Sequence, residues 1–184
     1  MSRSFLRLEI TGLVSLILAL VSLAMIPAIG SAEMAPPASA VSANQNQISD
    51  DAQIRQLTAQ WFAAWSPGGG SMDWDSMGRL FVQEPNQLLV FDDAGDTVAV
   101  LNSWEDYRTT WEPFMGQLAE WRIEPEGEIR VMVEGDLATT VFTLTGGGVD
   151  QENNTIKFRQ HGTHIWRRIE DRWAIVHEHL TTDS

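Results

Sequence analysis

The apolar residues in the first half of the chain recur at helical spacing. Ser49 is a suitable helix N-cap, and Asp50 and Asp51 bring negative charge to the first turn, where the helix dipole favours it. Pro67 and the three glycines that follow it end the pattern. The apolar positions between these signals are Ile54, Leu57, Trp61, Phe62 and Trp65. The pattern therefore predicts a first helix between Ser49 and Pro67.

Two further helices are predicted before the chain changes its pattern. Asp73 is a candidate cap for a short helix whose apolar side holds Trp74, Met77, Leu80 and Phe81. Ser103, with Asp106 three residues later, opens a third helix, which Pro113 is expected to kink or shorten. The apolar stripe of that helix holds Trp104, Tyr107, Trp111, Phe114, Met115 and Leu118.

The rest of the chain has the pattern of β-strands. The stretch "QLLVFDDAGDTVAVL" indicates two short strands around Asp93-Ala94-Gly95. Four longer strands, rich in Val, Ile, Thr and aromatic residues, are predicted in the segments 121–136, 137–149, 155–169 and 172–182. Helices followed by a meander of strands predict the α+β class, with about three helices packed on one face of a curved antiparallel sheet.

The first 48 residues have the pattern of a targeting segment and a linker. Arg3 and Arg7 precede an apolar run, which Pro27 breaks before the small residues at positions 30–32. This order is typical of a signal peptide, predicted at 1–32, for a periplasmic or secreted protein with no stable membrane association after cleavage. An uncleaved membrane anchor is the alternative, because the apolar run is about long enough to span a bilayer. Residues 33–48 have almost no large apolar side chain and predict a flexible linker.

Composition removes several functional classes. The chain has no cysteine, which excludes disulfides and thiolate metal sites. A formal net charge of −13 opposes binding to nucleic acid and to anionic membrane surfaces. The glycines 146–148 lack the strand-to-helix context of a phosphate loop, and no cofactor is predicted. Asp92, Asp93 and Asp96 do not have the spacing of a calcium loop.

The stretch from Thr163 to Thr181 carries a family resemblance. Its pattern consists of Thr163, Ile165, Trp166, Trp173, Val176, His177, His179 and Thr181, with two basic residues and a turn in the middle. This pattern and the order of elements over residues 49–181 resemble the nuclear-transport-factor-2-like superfamily. The SnoaL-like members and the association domain of calcium/calmodulin-dependent protein kinase II are the most similar. The resemblance implies a SnoaL-like domain at 49–184, folded as a cone whose strongly bent sheet and helices enclose a deep cavity. It also implies that Thr143, His164 and Leu180 face that cavity.

The loop between the last two strands decides which side chains share a face of the sheet. A three-residue loop, Ile169-Glu170-Asp171, pairs Arg168 with Arg172, and a two-residue loop instead sets His164 opposite His177. We favour the three-residue loop because it agrees with the resemblance. It places Gln160, His164, Glu178 and Leu180 on the cavity face, and it places His161, His177 and His179 on the outer face with Trp173 and Ile175.

His164 and Glu178 are the candidate catalytic residues. A histidine in an aromatic cavity can act as a general base, and a neighbouring carboxylate can fix its tautomer. The alternative is a hydrogen-bonded histidine with no catalytic task. The full set of candidate ligand-binding residues is Trp61, Trp65, Trp104, Tyr107, Trp111, Thr143, Gln160, His164, Glu178 and Leu180. No metal site is predicted, because His161, His177 and His179 lack a carboxylate ligand nearby.

Three functions remain open at this stage. The first is an exported domain that binds a small, partly apolar molecule in the cone. The second is a cofactor-free isomerase, dehydratase or cyclase that uses His164 and Glu178. The third is an assembly module, since the uncovered outer face of the sheet predicts a homodimer.

Overall fold

The computed structural model describes residues 48–93 and 98–183. Three helices occupy the first part of the described chain, and their bounds are Asp50–Ala64 (α1), Trp74–Gly78 (α2) and Trp104–Met115 (α3). The strands are Leu89–Asp93 (β1), Val98–Leu101 (β2), Leu118–Glu134 (β3), Leu137–Asp150 (β4), Thr155–Ile169 (β5) and Arg172–Thr182 (β6). The structure confirms the last three predicted long strands to within one residue, whereas β3 begins three residues before the predicted segment 121–136 and ends two residues before its end.

Each helix begins at the predicted cap. The side chain of Ser49 accepts a hydrogen bond from the backbone N–H of Ala52 at 3.3 Å. Asp73 accepts one from the N–H of Ser76 at 2.9 Å, and Ser103 accepts one from the N–H of Asp106 at 3.1 Å. These bonds satisfy backbone donors that have no partner within the helix, which explains why the cap residues locate the helix starts so well.

All six strands belong to one sheet in the order β2-β1-β6-β5-β4-β3. Strands β3 to β6 form the predicted antiparallel meander. Strand β1 pairs with β2 in antiparallel fashion and with β6 in parallel fashion, a pairing that the sequence did not predict. The arrangement confirms the α+β class with a curved, open, six-stranded sheet and a few helices.

Three register irregularities interrupt the sheet. Two lie on β3, between Leu118 and Glu120 and between Glu126 and Arg130, where Gly127 adopts a φ of 77°, and the third lies between Ile165 and Trp166 on β5. Irregularities of this kind bend a strand and increase its twist, so they help the long strands to curve. Alternate residues of β4 to β6 lie on the inner face, and most of the large apolar side chains on it are buried.

The signal peptide at 1–32 and nearly all of the linker at 33–48 lie outside the described residues. The division into signal peptide, linker and domain therefore stays a prediction. Within residues 48–93 and 98–183, no helix combines the length and the apolar character needed to cross a membrane.

Candidate functional site

The hairpin between β5 and β6 has a tighter loop than predicted. Ile169 pairs with Arg172, so the loop holds only Glu170 and Asp171, and Glu170 adopts a φ of 54°. The favoured three-residue loop is therefore wrong. A two-residue loop that requires a left-handed residue is a common hairpin geometry, and here a glutamate supplies that conformation.

A bulge then changes the register again within the hairpin. Trp166 pairs with Ile175, whereas Ile165 pairs with His177, so Val176 is an extra residue in β6. Before the bulge, the two-residue loop pairs Trp173 with Arg168 and Ile175 with Trp166 on the inner face, where Trp173 and Ile175 are buried, and this corrects their predicted place on the outer face. Beyond the bulge the alternation returns to the predicted faces, and His164 lies directly opposite Glu178.

His164 and Glu178 form the centre of a buried polar chain. Both side chains are fully buried, and His164 Nε2 lies 3.1 Å from Glu178 Oε2, although the two groups are not aligned as a hydrogen bond. The hydroxyl of Tyr107 on α3 donates a hydrogen bond to Glu178 Oε1 at 3.0 Å. The indole N–H of Trp65, the C-cap residue of α1, donates in turn to the Tyr107 hydroxyl at 3.1 Å. The chain thus connects both helices to the sheet.

The Tyr107 hydroxyl is held in its neutral form. Burial raises the pKa of this phenol well above its ordinary value, and the negative charge of Glu178 raises it further. A neutral hydroxyl remains available as a donor to Glu178 across the physiological pH range.

Aromatic rings enclose His164. The ring centroids of Trp61 and Phe142 lie 4.7 and 4.9 Å from that of His164, both at steep angles, and Trp166 lies 5.7 Å away. His164 Nδ1 has no hydrogen-bond partner among the described residues. The imidazole is therefore packed as part of the core, and the position offers it no route to solvent.

A cavity of about 610 Å³ lies between the helices and the inner face of the sheet. Its walls include the aromatic side chains Trp61, Trp65, Trp111, Phe114, Trp121 and Phe158. Asp92, Gln160 and Thr182 supply polar groups, and Lys157 also lines it. The volume and the mostly apolar lining are those of a small-molecule pocket.

The structure divides the predicted ligand-binding residues into those that line the cavity, those that are buried beside it, and Thr143, which lies on the outer face. Those that line the cavity are Trp61, Trp65, Trp111, Gln160 and Leu180. Trp104, Tyr107, His164 and Glu178 are not among the lining residues. Tyr107, His164 and Glu178 are buried in the polar chain, and Trp104 stacks on Tyr107 with ring centroids 5.4 Å apart.

Thr143 lies on the outer face of the sheet, which corrects its predicted place in the cavity. The inward positions of β4 are the even-numbered ones, with Thr140, Phe142 and Leu144 all buried. Thr143 instead lies 3.0 Å from the Nδ1 atom of His161 through its hydroxyl oxygen. The predicted match was off by one position, and in a strand one position exchanges the two faces.

Asp92 is a site residue that the sequence prediction missed. The residue is 6% exposed and lines the cavity, and one oxygen of its carboxylate lies 3.4 Å from the amide nitrogen of Gln160. Burial raises the pKa of Asp92 to about 7, and repulsion by Glu178 on the adjacent strand contributes, while the Gln160 amide lowers it. Asp92 is thus a carboxyl group at the cavity wall that titrates near neutral pH.

A signal for Asp92 was present in the sequence. Leu88 and Val90 precede it at alternate positions, and both are buried. A strand that continues this alternation places the next side chain, Asp92, on the same buried face. The three aspartates around position 93 were instead considered only as calcium ligands, for which their spacing is unsuitable.

The model of the SnoaL-like domain family matches residues 54–182. The chain belongs to the SnoaL-like family. No curated protein is significantly similar to it in sequence.

Solved structures share the fold of this SnoaL-like domain. A nuclear transport factor 2 (NTF2-like) superfamily protein from Salmonella enterica serovar Typhimurium LT2 superposes with a TM-score of 0.62 at 15% identity, over 72% of this chain and 89% of that one. A proposed dehydratase of the NTF2-like family from Streptomyces avermitilis gives 0.61 at 15% identity, with coverage of 73% and 96%. The CaMKII hub of S. rosetta gives 0.59 at 15% identity, with coverage of 74% and 99%. At these identities the likeness shows the fold alone.

The outer face of the SnoaL-like domain carries the other three histidines, as predicted. His161 Nε2 lies 2.9 Å from Asp183, His177 Nδ1 lies 2.9 Å from the Leu89 carbonyl, and His179 Nε2 lies 3.1 Å from the Thr181 hydroxyl. Each histidine therefore has its own partner. Within the described ranges, no group of three or more histidine and acidic side chains is arranged to hold a metal ion.

Proposed function

We propose that the domain binds a small, partly apolar molecule in the cavity between its helices and the inner face of the sheet. The main support is the cavity itself, which combines six aromatic side chains in its walls with polar side chains that include the neighbouring pair Asp92 and Gln160. Flat aromatic walls favour a ring system, and the polar pair favours a ligand with a hydroxyl, amine or amide group. Such a group can hydrogen-bond to the pair in place of water.

The neutral fluorescent probe N-phenyl-1-naphthylamine tests this binding function. Its two aromatic parts suit the cavity walls, and we expect bound probe to gain fluorescence. Ile156 lines the cavity, so Ile156→Trp is expected to fill part of it and weaken binding. Ile165→Trp is the matched control, because Ile165 is an outer-face residue of the same strand. Equal binding by both variants, or no binding by the unaltered protein, would contradict the proposal.

A second candidate function is cofactor-free proton transfer, and Asp92 favours it. A general base works best when its pKa is near the working pH, and the pKa of Asp92 is about 7. His164 and Glu178, predicted as base and orienting group, do not line the cavity, so Asp92 replaces His164 as the group that contacts a substrate. In this scheme Asp92 takes a proton from a carbon next to a carbonyl and returns it to the same or a neighbouring carbon, which leaves the protein unchanged.

Deuterium exchange into 2-tetralone tests this second function. The ketone is flat and aromatic, and its acidic C–H bonds exchange with solvent deuterium in a reaction that NMR follows. We expect the unaltered domain to accelerate exchange and Asp92→Asn to remove the acceleration while it still binds N-phenyl-1-naphthylamine. His164→Gln is the comparison, because loss of exchange in that variant alone would restore His164 as the base.

A homodimer through the outer face of the sheet is also proposed. Phe91, Val100 and Val141 lie in one row across the outer face, with His179 and Thr163 between Phe91 and Val141, and 36%, 56% and 41% of their surface is exposed. Exposed apolar side chains grouped in this way are unusual on a monomer, and a two-fold axis buries them against the same residues of a second copy. Sedimentation is expected to show a dimer that Phe91→Arg dissociates, while Glu152→Arg in the turn after β4 leaves it intact. A monomeric unaltered protein would contradict the dimer.

We also propose that the chain is exported and that its signal peptide is removed. The pattern of residues 1–32 favours a cleaved signal peptide and a periplasmic or secreted domain, with an N-terminal membrane anchor as the alternative. Intact-mass measurement on protein from the exporting cell distinguishes them. A mature chain that begins near Glu33 supports cleavage, and a full-length mass in the membrane fraction supports the anchor.

A further inference from the structure

Lys157 is unusual in both composition and placement. It is the only lysine in a chain with a net charge of −13, and it lines the cavity. Its side chain is exposed and forms no ion pair with any residue in the ranges 48–93 and 98–183. Five of the arginines do form such pairs, and they are Arg55, Arg108, Arg122, Arg159 and Arg168. The ammonium group of Lys157 is thus left available to a ligand.

The end of β6 places Lys157 at an open rim. The last pair between β5 and β6 joins Gln160 to Thr182, so the part of β5 before Gln160 has no strand on that side among the described residues. Lys157 pairs only with Gly147 on β4. By strand alternation the Cβ atom of Lys157 points to the outer face of the sheet. Because no strand lies beside Lys157 at this edge, its flexible four-carbon side chain can bend around the edge and bring the ammonium group to the mouth of the cavity.

Two different polar ends therefore border one aromatic cavity. Asp92 and Gln160 are hydrogen-bond neighbours at one end, and Lys157 is three residues from Gln160 along β5. Three residues of strand correspond to about 10 Å. The aromatic ring of Phe158 and the side chain of Ile156 lie beside this interval on the cavity wall. A bicyclic or extended aromatic molecule spans such a distance.

The charges at the two ends select different ligand groups. Asp92 and the buried Glu178 oppose an anion at the inner end, and a neutral hydrogen-bonding group suits that end better. The lysine ammonium attracts an anion at the rim, where the remaining charges of this acidic chain would otherwise repel it. We infer that the cavity takes an aromatic or alicyclic anion, with one acidic group at Lys157 and a neutral hydrogen-bonding group at Asp92. This inference rests on the proposed binding function.

Two probes that differ by a single anionic group test the inference. N-phenyl-1-naphthylamine is neutral, and 8-anilino-1-naphthalenesulfonate has the same skeleton with one sulfonate. We expect Lys157→Gln to weaken binding of the sulfonate by about two- to fivefold, the upper part of the range for a solvent-exposed ion pair, and to leave the neutral probe unchanged. Lys157→Arg should retain the preference for the anion. Added salt should weaken only the sulfonate.

Controls separate the cavity from other surfaces. Arg130→Gln removes a cation from the outer face and should affect neither probe. Ile156→Trp should weaken both probes, because both are placed in the cavity. The inference is overturned if Lys157→Gln affects the two probes equally or leaves the sulfonate unaffected. It is also overturned if the sulfonate binds Ile156→Trp undiminished, since the anion site then lies elsewhere. Failure of the neutral probe to bind the unaltered protein would instead refute the binding function and the inference together.

Discussion

The two faces of strands β5 and β6 use the same residue types for opposite purposes. On the inner face, His164 and Glu178 are fully buried, lie 3.1 Å apart and are enclosed by aromatic rings. On the outer face, His161 contacts Asp183 at 2.9 Å, but about half of its side chain is exposed. Side chains at neighbouring positions along one strand thus differ in their solvent exposure, in their contact partners and in their freedom to move. Strand alternation, and not residue type, determines whether a polar side chain here belongs to a packed core or to a hydrated surface.

The largest expected difference between the faces is in packing. Phe142 is 3% exposed and contacts the rings of Trp61, Phe62 and His164, whereas its neighbour Val141 is 41% exposed on the outer face. Phe142→Ala is expected to lower the free energy of unfolding by about 3–5 kcal/mol, because it leaves a cavity in the core. Val141→Ala should change it by about 0.5 kcal/mol or less.

Urea unfolding measures both variants, at a protein concentration low enough to keep the chain monomeric. Similar decreases in the free energy of unfolding for the two substitutions would contradict the difference in packing between the two faces. The comparison is sharp because the two residues are adjacent in the chain and share the same local strand.

The next effect is a pH dependence that belongs to the inner face alone. The pKa of Asp92 is raised to about 7 in the folded protein from an ordinary value of 3.8, mainly by burial. The folded state therefore keeps a proton that the unfolded chain releases, and stability falls as the pH rises from about 4 to about 7. A shift of this size corresponds to a loss on the order of 4 kcal/mol. Asp92→Asn should remove this slope and be the more stable form above pH 7.

Asp183 provides the outer-face control for this prediction. Its exposed carboxylate is paired with Arg159, which lowers its pKa, so its contribution has the opposite sign. That contribution is present at neutral pH and is lost as the pH falls through the acidic range. Thermal unfolding of both asparagine variants between pH 4 and pH 8 distinguishes them. A slope that persists in Asp92→Asn would mean that another buried group titrates.

Local signals in the sequence predicted most of the fold but only part of the site. Caps at Ser49, Asp73 and Ser103 act within one turn, so a short stretch of sequence contains all the information needed to place them. The bulge at Val176 is different, because it depends on how two strands meet and not on the preference of either one. The predicted register was therefore wrong, although His164 and Glu178 still share a face.

Two errors in the candidate site have the same physical origin. Thr143 was assigned to the cavity from a match that was displaced by one residue, and a displacement of one exchanges the faces. Asp92 was overlooked because a run of aspartates is typical of a turn. Its burial depends on pairing with β6, which lies about 90 residues later in the chain. The aromatic walls were easier to predict, since Trp61, Trp65 and Trp111 lie on helices with clear apolar stripes.

A smaller effect tests the hydrogen bonds that connect the inner face to the helices. Tyr107→Phe removes a hydroxyl that donates to Glu178 and accepts from Trp65, and it leaves both buried partners without that bond. The expected loss in the free energy of unfolding is about 1–3 kcal/mol. Thr143→Val removes an outer-face hydroxyl beside His161 and should change stability by about 0.5 kcal/mol or less. Equal stability of Tyr107→Phe and the unaltered protein would show that the buried chain contributes nothing.

The smallest expected effect concerns zinc at the outer-face histidines. His161, His177 and His179 each have a separate partner, and no described group of three or more histidine and acidic side chains is arranged as a metal site. Imidazoles must converge at about 2 Å from a zinc ion to bind it well, and these three rings instead contact three separate partners. Equimolar zinc is therefore expected to leave the unfolding temperature unchanged, and metal analysis after dialysis is expected to find no stoichiometric zinc. A zinc-dependent rise in unfolding temperature that disappears in His161→Gln or His179→Gln would place a metal site on the outer face. The same rise lost only in His164→Gln would place it in the core, and would require the aromatic enclosure of that histidine to open.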